Sequence, residues 1–530
     1  MFMIEWGALT VAELVDRACR RHRDRVAVMT EAGEKRTYGE LSDRSWRLVN
    51  ALNGLGYEKG ARVGILAANC PEYIEVEFAC GRGGFVKVPL YVRNTPAEHC
   101  YFLADADVDV LIGEASLLDG IAARLEEEGV AKRPRLIAID APGDAEALEY
   151  EELLIRASSQ SSRPHLLPTD PFQIRYTSGT TGRPKGAVSS HQAMVVASLG
   201  NVVHNSWEDP VLPGDVLMHV IPFSHVSTFN IIGHSLYGVT HLPFKKWDPD
   251  HFLNAVQEQH VANVLLMPTQ VNMLMTQASA LSTADASSLK TLVYGGEPMA
   301  AGVLDAALDR FGPVLTQGYG STEAPSLIIG LPKSAHVGHV AKARGPACGW
   351  AMPWVETAIL DLEGQPVARG ETGELVVRGP FLLDGYLNNP AATANVLRDG
   401  WYHTGDIGRM DEDDCVILAD RSGDMIISGG YNIYPAEVEA AILTHPDVLE
   451  CVVFGAPDPT WGESVRAVVR LSDGAVLTTR ALSEHSAGEL ARFKFPKNIF
   501  VTSDAFPKTD AGKTLRRALR DATADLEELA

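Results

Sequence analysis

The sequence predicts an α/β protein: a large N-terminal domain of two α/β subdomains plus a β-rich subdomain, followed by a small α+β C-terminal domain. Three observations support this. Short apolar strands alternate with segments of helical period, the pattern of largely parallel sheets flanked by helices. A Ser- and Pro-rich stretch, Ala157 to Pro171 (ASSQSSRPHLLPTDP), reads as a link between two subdomains. From Glu356 onward the chain changes to short strands with tight turns, which predicts a β-rich unit ending near Asp420.

The elements follow in chain order. Tyr38 to Leu55 places Leu41, Trp46, Leu48, Val49 and Leu52 near helical spacing. Arg62 to Ala67 (RVGILA) reads as a short buried strand, Ala79 to Pro89 as a further apolar stretch, and Val108 to Ile112 (VDVLI) as another strand. Val261 to Met267 (VANVLLM) and Thr291 to Tyr294 (TLVY) continue the pattern. The β-rich text is ETAILDLEGQPV and then TGELVVRGP. From Arg421 the chain forms a smaller unit with a helix over Pro435 to Leu443 and a strand over Leu449 to Phe454. The expected division is 1–420 and 421–530.

At about 150 residues per domain, 530 residues leave room for roughly three or four units. Lys and Arg total 46 against 68 Asp and Glu, a formal charge of −22. That excess argues against general binding to nucleic acid or anionic membranes, which need a cationic surface, and leaves room for local cations around a polyanionic small molecule. The seven cysteines (Cys19, Cys70, Cys80, Cys100, Cys348, Cys415 and Cys451) are far apart, form no CxxC pair and are odd in number, which argues against a disulfide framework and against zinc. The start, MFMIEWGALTVAEL, lacks the basic and apolar regions of a signal peptide. The most apolar long stretch, Val220 to Val239, is interrupted by Ser224, His225, Ser227, Asn230 and His234 and is too polar to span a bilayer. The expectation is a soluble cytoplasmic protein with no nucleic-acid or integral-membrane partner.

Tyr176 to Val188 reads YTSGTTGRPKGAV. Thr177, Ser178, Thr180 and Thr181 supply four hydroxyls within five residues, Gly179, Gly182 and Gly186 let the backbone approach an anion, and Lys185 adds a positive charge. It is not a Walker A loop, which needs Lys directly after the second Gly. In isolation such a loop reads first as a mobile solvated loop. Further motifs follow: PFSHVS at Pro222 to Ser227, YGGEPM at Tyr294 to Met299, QGYGSTEAP at Gln317 to Pro325, YHTGD at Tyr402 to Asp406, DRSGDMIISGGYNIYPAEVE at Asp420 to Glu439 and PKTDAGKTLRR at Pro507 to Arg517.

This ordered series resembles the signatures of the adenylate-forming superfamily of acyl-CoA synthetases, luciferases and peptide-synthetase adenylation domains. The resemblance runs from Tyr176 almost to the C-terminus. It implies that a carboxylic acid reacts with ATP to give an acyl-adenylate and pyrophosphate, with Mg2+ as cofactor. By that resemblance Thr177, Ser178, Gly179, Thr180, Thr181, Gly182 and Lys185 cradle the ATP phosphates, Thr322 donates to the α-phosphate and Glu323 is the magnesium ligand. Gly295, Gly296, Glu297 and Pro298 match the adenine-side loop. Gly318 and Tyr319 match the opposite wall, and Asp406 and Arg421 match ribose contacts. Lys513 matches the lysine that swings in with a mobile C-terminal domain and touches carboxylate and α-phosphate.

The resemblance also implies a second step, in which the small domain rotates and a thiol takes the acyl group. Gly423 stands at the hinge, where the family commonly carries Asp or Lys, and glycine absorbs a large dihedral change. Gly429 and Gly430 match the loop lining the pantetheine tunnel of CoA. The basic residues Arg492, Lys494 and Lys497, around Phe493 and Phe495, suit the phosphates of CoA. His225 matches the aromatic-site histidine, and Phe223, Val226, Phe229, Asn230, Tyr294, Gly318 and Ala324 are candidate walls for a fatty, alicyclic or aromatic acid. The expected function is an ATP-dependent acid–thiol ligase producing an acyl-CoA. The alternatives are transfer to a carrier-protein thiol, a luciferase-like oxygenation, and a non-catalytic binder, against which the intact Lys185, Glu323, Asp406, Arg421 and Lys513 stand. Related enzymes occur as monomers and dimers, so a homodimer is compatible with the sequence.

Overall fold

A computed structural model describes residues 9–127, 132–140, 146–177, 184–297, 299, 301–325, 327–336, 347–361, 363–421, 426–428, 431–433, 435–458, 462–472, 474–486, 490, 492–508, 514–523 and 526–529. Local sequence sets the helix starts. The helix Tyr38–Gly54 is preceded by Thr37, whose hydroxyl accepts from the Glu40 amide (3.2 Å) while Glu40 accepts from the Thr37 amide (2.7 Å). Thr95 and Glu98 start the helix Pro96–Asp105 in the same reciprocal way. The apolar stretch Ala79 to Pro89 is two elements, the end of the helix Pro71–Gly83 and the strand Val86–Pro89, separated by a turn at Gly84.

The described residues form three sheets. The first has a parallel core made by the strands Pro171–Thr177, Val86–Pro89, Arg62–Leu66, Val110–Gly113, Arg135–Ala138 and Leu148–Glu149, extended on one side by the antiparallel strands Lys185–Ser190 and Gly385–Tyr386. In the second, Val26–Met29, Thr240–Pro243, Val216–His219, Val261–Leu266, Thr291–Gly295 and Leu315–Tyr319 are parallel. It then turns antiparallel through Ile329–Leu331, Ala347–Ala351, Val416–Arg421, Trp401–Met410, Gly373–Arg378 and Glu356–Leu360. The third sheet lies in the C-terminal part around the hairpin Val448–Asp458 and Gly462–Leu471. One apolar cluster there, from Ile426 to Ile499, is built wholly from C-terminal residues, so this part has its own core.

Two expectations are corrected. The stretch 157–170 does not separate subdomains. It crosses the helix Tyr38–Gly54, where Asn50 Nδ2 donates to the Ser158 and Gln160 carbonyls (2.6 and 2.8 Å), and feeds a strand into the middle of the same first sheet, with Gln173 beside Lys87. The β-rich unit ends near Asp420 as expected, but it starts at Ala347 and continues the second sheet through the pairing of Ile329 with Ala351. Polar backbone on the strand Ile329–Leu331 finds its partners on both sides, which hides the boundary.

The helix Pro71–Gly83 is buried along almost its whole length, including Glu75, Glu77 and Arg82. Each of these charges has a partner: Arg36 and Arg44 for Glu75, Lys87 for Glu77, and Asp16 for Arg82. Against it pack the helices Val11–Arg21 and Tyr38–Gly54. No helix among the described residues is long and apolar enough to cross a membrane.

Candidate active site

The candidate residues gather where parallel strands of both large sheets end, the usual ligand-binding edge of an open α/β sheet. Thr177 closes its strand and Lys185 opens the next, and the two stand opposite each other across the hairpin. The loop they anchor contains Ser178, Gly179, Thr180, Thr181 and Gly182, which lie outside the described residues. The strand Gly385–Tyr386 pairs with the far side of this hairpin, Tyr386 opposite Ala187, and the Leu387 amide donates to the Gly186 carbonyl (2.7 Å).

That pairing brings in a residue the sequence reading did not assign. The Lys185 ammonium lies 5.2 Å from the centre of the Tyr386 ring, and the Tyr386 hydroxyl donates to Glu323 Oε1 at 2.7 Å. Tyr386 thus joins the phosphate-loop cation to the proposed metal ligand. Burial and the Glu323 carboxylate push the Tyr386 and Tyr402 phenols far above the ordinary tyrosine value, so both remain protonated. The Glu323 turn is itself fixed: the Ala324 amide donates to Ser321 Oγ (3.0 Å) and the Leu383 amide to the Glu323 carbonyl (2.9 Å). Thr322 sits in this turn, half-buried beside Glu323.

Several of the nucleoside-side candidates lie close together. Gly295 and Gly318 are direct neighbours on parallel strands, and a Cβ on Gly295 would fall 2.1 Å from the Gly318 carbonyl oxygen. Gly296 has φ +84°, where side chains are strained. Glu297 is turned to the helix Pro268–Gln277: its Oε1 accepts from the Thr269 amide (2.9 Å) and hydroxyl (2.6 Å). Its carboxylate therefore holds the loop in place. Pro298 lies outside the described residues. The Tyr319 hydroxyl donates to Asp406 Oδ2 at 2.6 Å, which ties the expected base wall to the expected ribose acceptor. Burial and this carboxylate push the Tyr319 phenol well above its usual value. Asp406 stands opposite Arg421 in the antiparallel pair, which sets the Arg421 backbone beside the site; the Arg421 side chain lies outside the description.

The acyl segment is partly reassigned. The His225 ring lies tilted against that of Tyr91, ring centres 4.6 Å apart, and its buried Nε2 has no hydrogen-bond partner among the described residues. Burial, reinforced by Arg175, lowers its pKa to about 4, so the ring is neutral at neutral pH. Phe223 is core: its ring packs on Tyr73 (5.2 Å) and His219 (4.8 Å), and its amide donates to Asn69. Ala324 joins the core of the antiparallel part. The Asn230 side chain accepts from Asn201 (3.1 Å), and the Tyr294 hydroxyl bonds Gln317 and His336. Val226 is half-buried beside both large cores, and Phe229 is buried in the same core as Phe223, under the Arg175 guanidinium. Lys494 and Lys497 are in ion pairs with Glu437 and Asp458. Gly423, Gly429, Gly430 and Lys513 lie outside the described residues.

With this geometry in view, the comparisons decide the family. Residues 15–387 match the profile of the AMP-binding enzymes, and residues 437–513 that of the AMP-binding enzyme C-terminal domain. The chain belongs to this family. It is 37% identical over 493 residues to feruloyl-CoA synthase of an Amycolatopsis species, covering 92% of this chain and 94% of that one. It is 33% identical over 514 residues to a medium/long-chain-fatty-acid–CoA ligase of Mycobacterium tuberculosis, covering 95% and 88%. The crystal structure of ATP-bound MatB from Rhodopseudomonas palustris superposes with a TM-score of 0.86 at 30% identity, covering 98% of this chain and 99% of that one. The protein is an AMP-forming acid–thiol ligase of the adenylate-forming superfamily, with a large N-terminal and a small C-terminal domain.

Among the described residues no three His, Cys, Asp or Glu side chains cluster as a metal site. A single carboxylate, Glu323, suits Mg2+ nonetheless, because that ion keeps waters and is held chiefly by substrate phosphates plus one or two carboxylates.

Proposed function

We propose that this ligase converts a carboxylic acid with an apolar body, aromatic or fatty, to its CoA thioester in the cytoplasm. In the first step a carboxylate oxygen bonds to the α-phosphorus of ATP and the bond to pyrophosphate breaks. In the second the sulfur of CoA bonds to the acyl carbon, AMP leaves with the bonding electron pair, and the thiol proton passes to solvent. The first step needs charge repulsion relieved between a carboxylate and a triphosphate. Lys185 and the hydroxyls of the phosphate loop answer the β and γ phosphates, Thr322 donates at the α-phosphate, and Lys513 bridges carboxylate and α-phosphate. Glu323 is the residue that would hold Mg2+, which offsets phosphate charge when bound with ATP.

Asp406 accepts from the ribose hydroxyls, with Tyr319 fixing which oxygen it presents, and Arg421 adds a second ribose contact. Gly295, Gly296 and Gly318 leave the adenine slot open. His225 and Val226 face the acid, Gly429 and Gly430 line the thiol path, and the segment around Gly423 is the hinge. The division at 420/421 and the mobility of the C-terminal part belong to this reading. The observation that carries it is the line Lys185, Tyr386, Glu323, which sets a cation and a carboxylate on one aromatic ring at the mouth of the phosphate hairpin. The feruloyl and fatty-acid relatives support the acid class and the thiol acceptor.

Carboxylate-dependent ATP–pyrophosphate exchange tests the first half. AMP release that requires CoA, with no requirement for a carrier protein, tests the second. Exchange without CoA-dependent AMP release would move the acceptor to a carrier thiol.

A further inference from the structure

Beneath His225 lies a buried group of charges that the reaction as described does not use. Glu77, Lys87, Tyr73, Thr228 and Arg175 are all at most 5% exposed. Lys87 is in contact with Glu77 and also donates to Thr228 (3.2 Å), so the one carboxylate of the group has the lysine as its salt-bridge partner and is shared as a charge between Lys87 and Arg175. Among the described residues Arg175 forms no salt bridge, although the Glu77 charge also acts on it and holds its pKa up against burial. Its hydrogen bond among the described residues is a long one, Nη2 to Gln173 Oε1 at 3.3 Å, and its buried Nε has none. The Tyr73 hydroxyl and Glu77 Oε1 are also buried without a hydrogen-bond partner among the described residues. Burial lowers the Arg175 pKa to about 10, which still leaves the guanidinium charged at neutral pH.

Two buried cations thus face one buried anion. A buried charge without a partner is costly, and such groups are usually paired. The position of Arg175 indicates what answers it. It is two residues before Thr177, on the strand that leads into the phosphate hairpin, and its guanidinium lies 4.6 Å from the centre of the Phe229 ring, in the acyl segment. It is near enough to His225 to help depress that ring's pKa. The guanidinium therefore lies on the strand that ends at Thr177 and against the Phe229 ring, with a donor that has no partner among the described residues.

We propose that Arg175 is a specificity-determining residue that receives an oxygen carried on the body of the acid, so that the preferred substrate has a second acceptor group besides the reacting carboxylate. The acceptor is a second carboxylate, a ketone or a phenol, all of which a guanidinium can bind. This rests on the ligase reading above and narrows its substrate class to oxygenated acids.

The test uses matched acids that differ only in that oxygen: adipate against hexanoate, levulinate against pentanoate, and hydroxyphenylpropanoate against phenylpropanoate. The full-length enzyme is assayed by ATP–pyrophosphate exchange. The oxygenated member of at least one pair is expected to have a kcat/KM about 10- to 100-fold higher, as for a hydrogen bond to a charged group. Which pair responds tells carboxylate, ketone and phenol apart. Arg175→Met should bring that ratio close to one while leaving the KM for ATP unchanged, and Arg175→Leu should do the same if the Met variant does not fold. Ratios near one for the wild-type enzyme in every pair would overturn the proposal and leave the ligase reading standing. So would a ratio unchanged in the variant, or failure of both variants to fold, which would make Arg175 a core residue. Absence of exchange with every acid would remove both readings.

Discussion

Replacing Tyr386 with Phe removes one oxygen and leaves the ring under Lys185. The oxygen lost is the donor to Glu323 Oε1 at 2.7 Å. A hydrogen bond to a charged group contributes about 1.5–3 kcal/mol. Glu323 is half-exposed, so water replaces part of it, and the lower end applies. About 1.4 kcal/mol is a factor of ten. Tyr386→Phe should therefore raise the KM for magnesium-ATP about tenfold in pyrophosphate exchange, with little change in the KM for the acid. Raising Mg2+ should recover part of the loss, because the change acts on how Glu323 is oriented. Tyr386→Leu removes the ring as well and should cost about 0.5–1 kcal/mol more through the lost contact with Lys185. The phenol stays protonated across the working pH range, so neither effect should depend on pH. A Tyr386→Phe enzyme with wild-type KM for ATP at every Mg2+ concentration would refute the role given to this residue.

Lys513→Ala should greatly reduce pyrophosphate release while thiolysis of supplied acyl-adenylate continues, and equal loss of both would assign Lys513 another role. Gly295→Ala sets a methyl 2.1 Å from the Gly318 carbonyl and should cost about 1–3 kcal/mol of stability and raise the KM for ATP, checked by urea unfolding and exchange kinetics. His234, bonded to Asn205, and His241, bonded to His219 and Ser235, are buried, and burial lowers their pKa from 6.5 to about 4 and about 3. Below pH 6.5 the unfolded chain takes up protons there that the folded chain does not. Stability is thus full above that pH and is lost as pH falls toward 4, by about 1.4 kcal/mol per pH unit for each ring. Urea midpoints measured across this range should fall, with a shallower slope in His241→Asn.

The chemistry-bearing loops were legible because each rests on local rules. Glycine is required where Gly295 meets Gly318, and the turn at Glu323 is held by Ser321 within its own motif. The helix Pro435–Leu443 and the strand Val261–Leu266 follow from periodicity. What failed depends on partners distant in the chain. The Ser/Pro stretch looks like a linker, yet the strand after it returns to the first sheet beside Lys87, a pairing with no local mark. Phe223 carries a motif next to His225, but its ring packs on Tyr73, 150 residues earlier in the chain, and so belongs to the core. Tyr386 reaches Glu323 only because its strand pairs with the phosphate hairpin. Arg175 is adjacent to the phosphate motif, and its burial without a salt bridge among the described residues is visible only in three dimensions.

The most direct test of two-step acid activation is one progress experiment with a panel of acids, ATP and Mg2+, in which CoA is added after pyrophosphate release has been followed. Acid-dependent pyrophosphate in the absence of CoA, then stoichiometric AMP and an acyl-CoA of the expected mass on its addition, is the predicted result. Pyrophosphate release that needs no acid, or ADP in place of AMP, would contradict it.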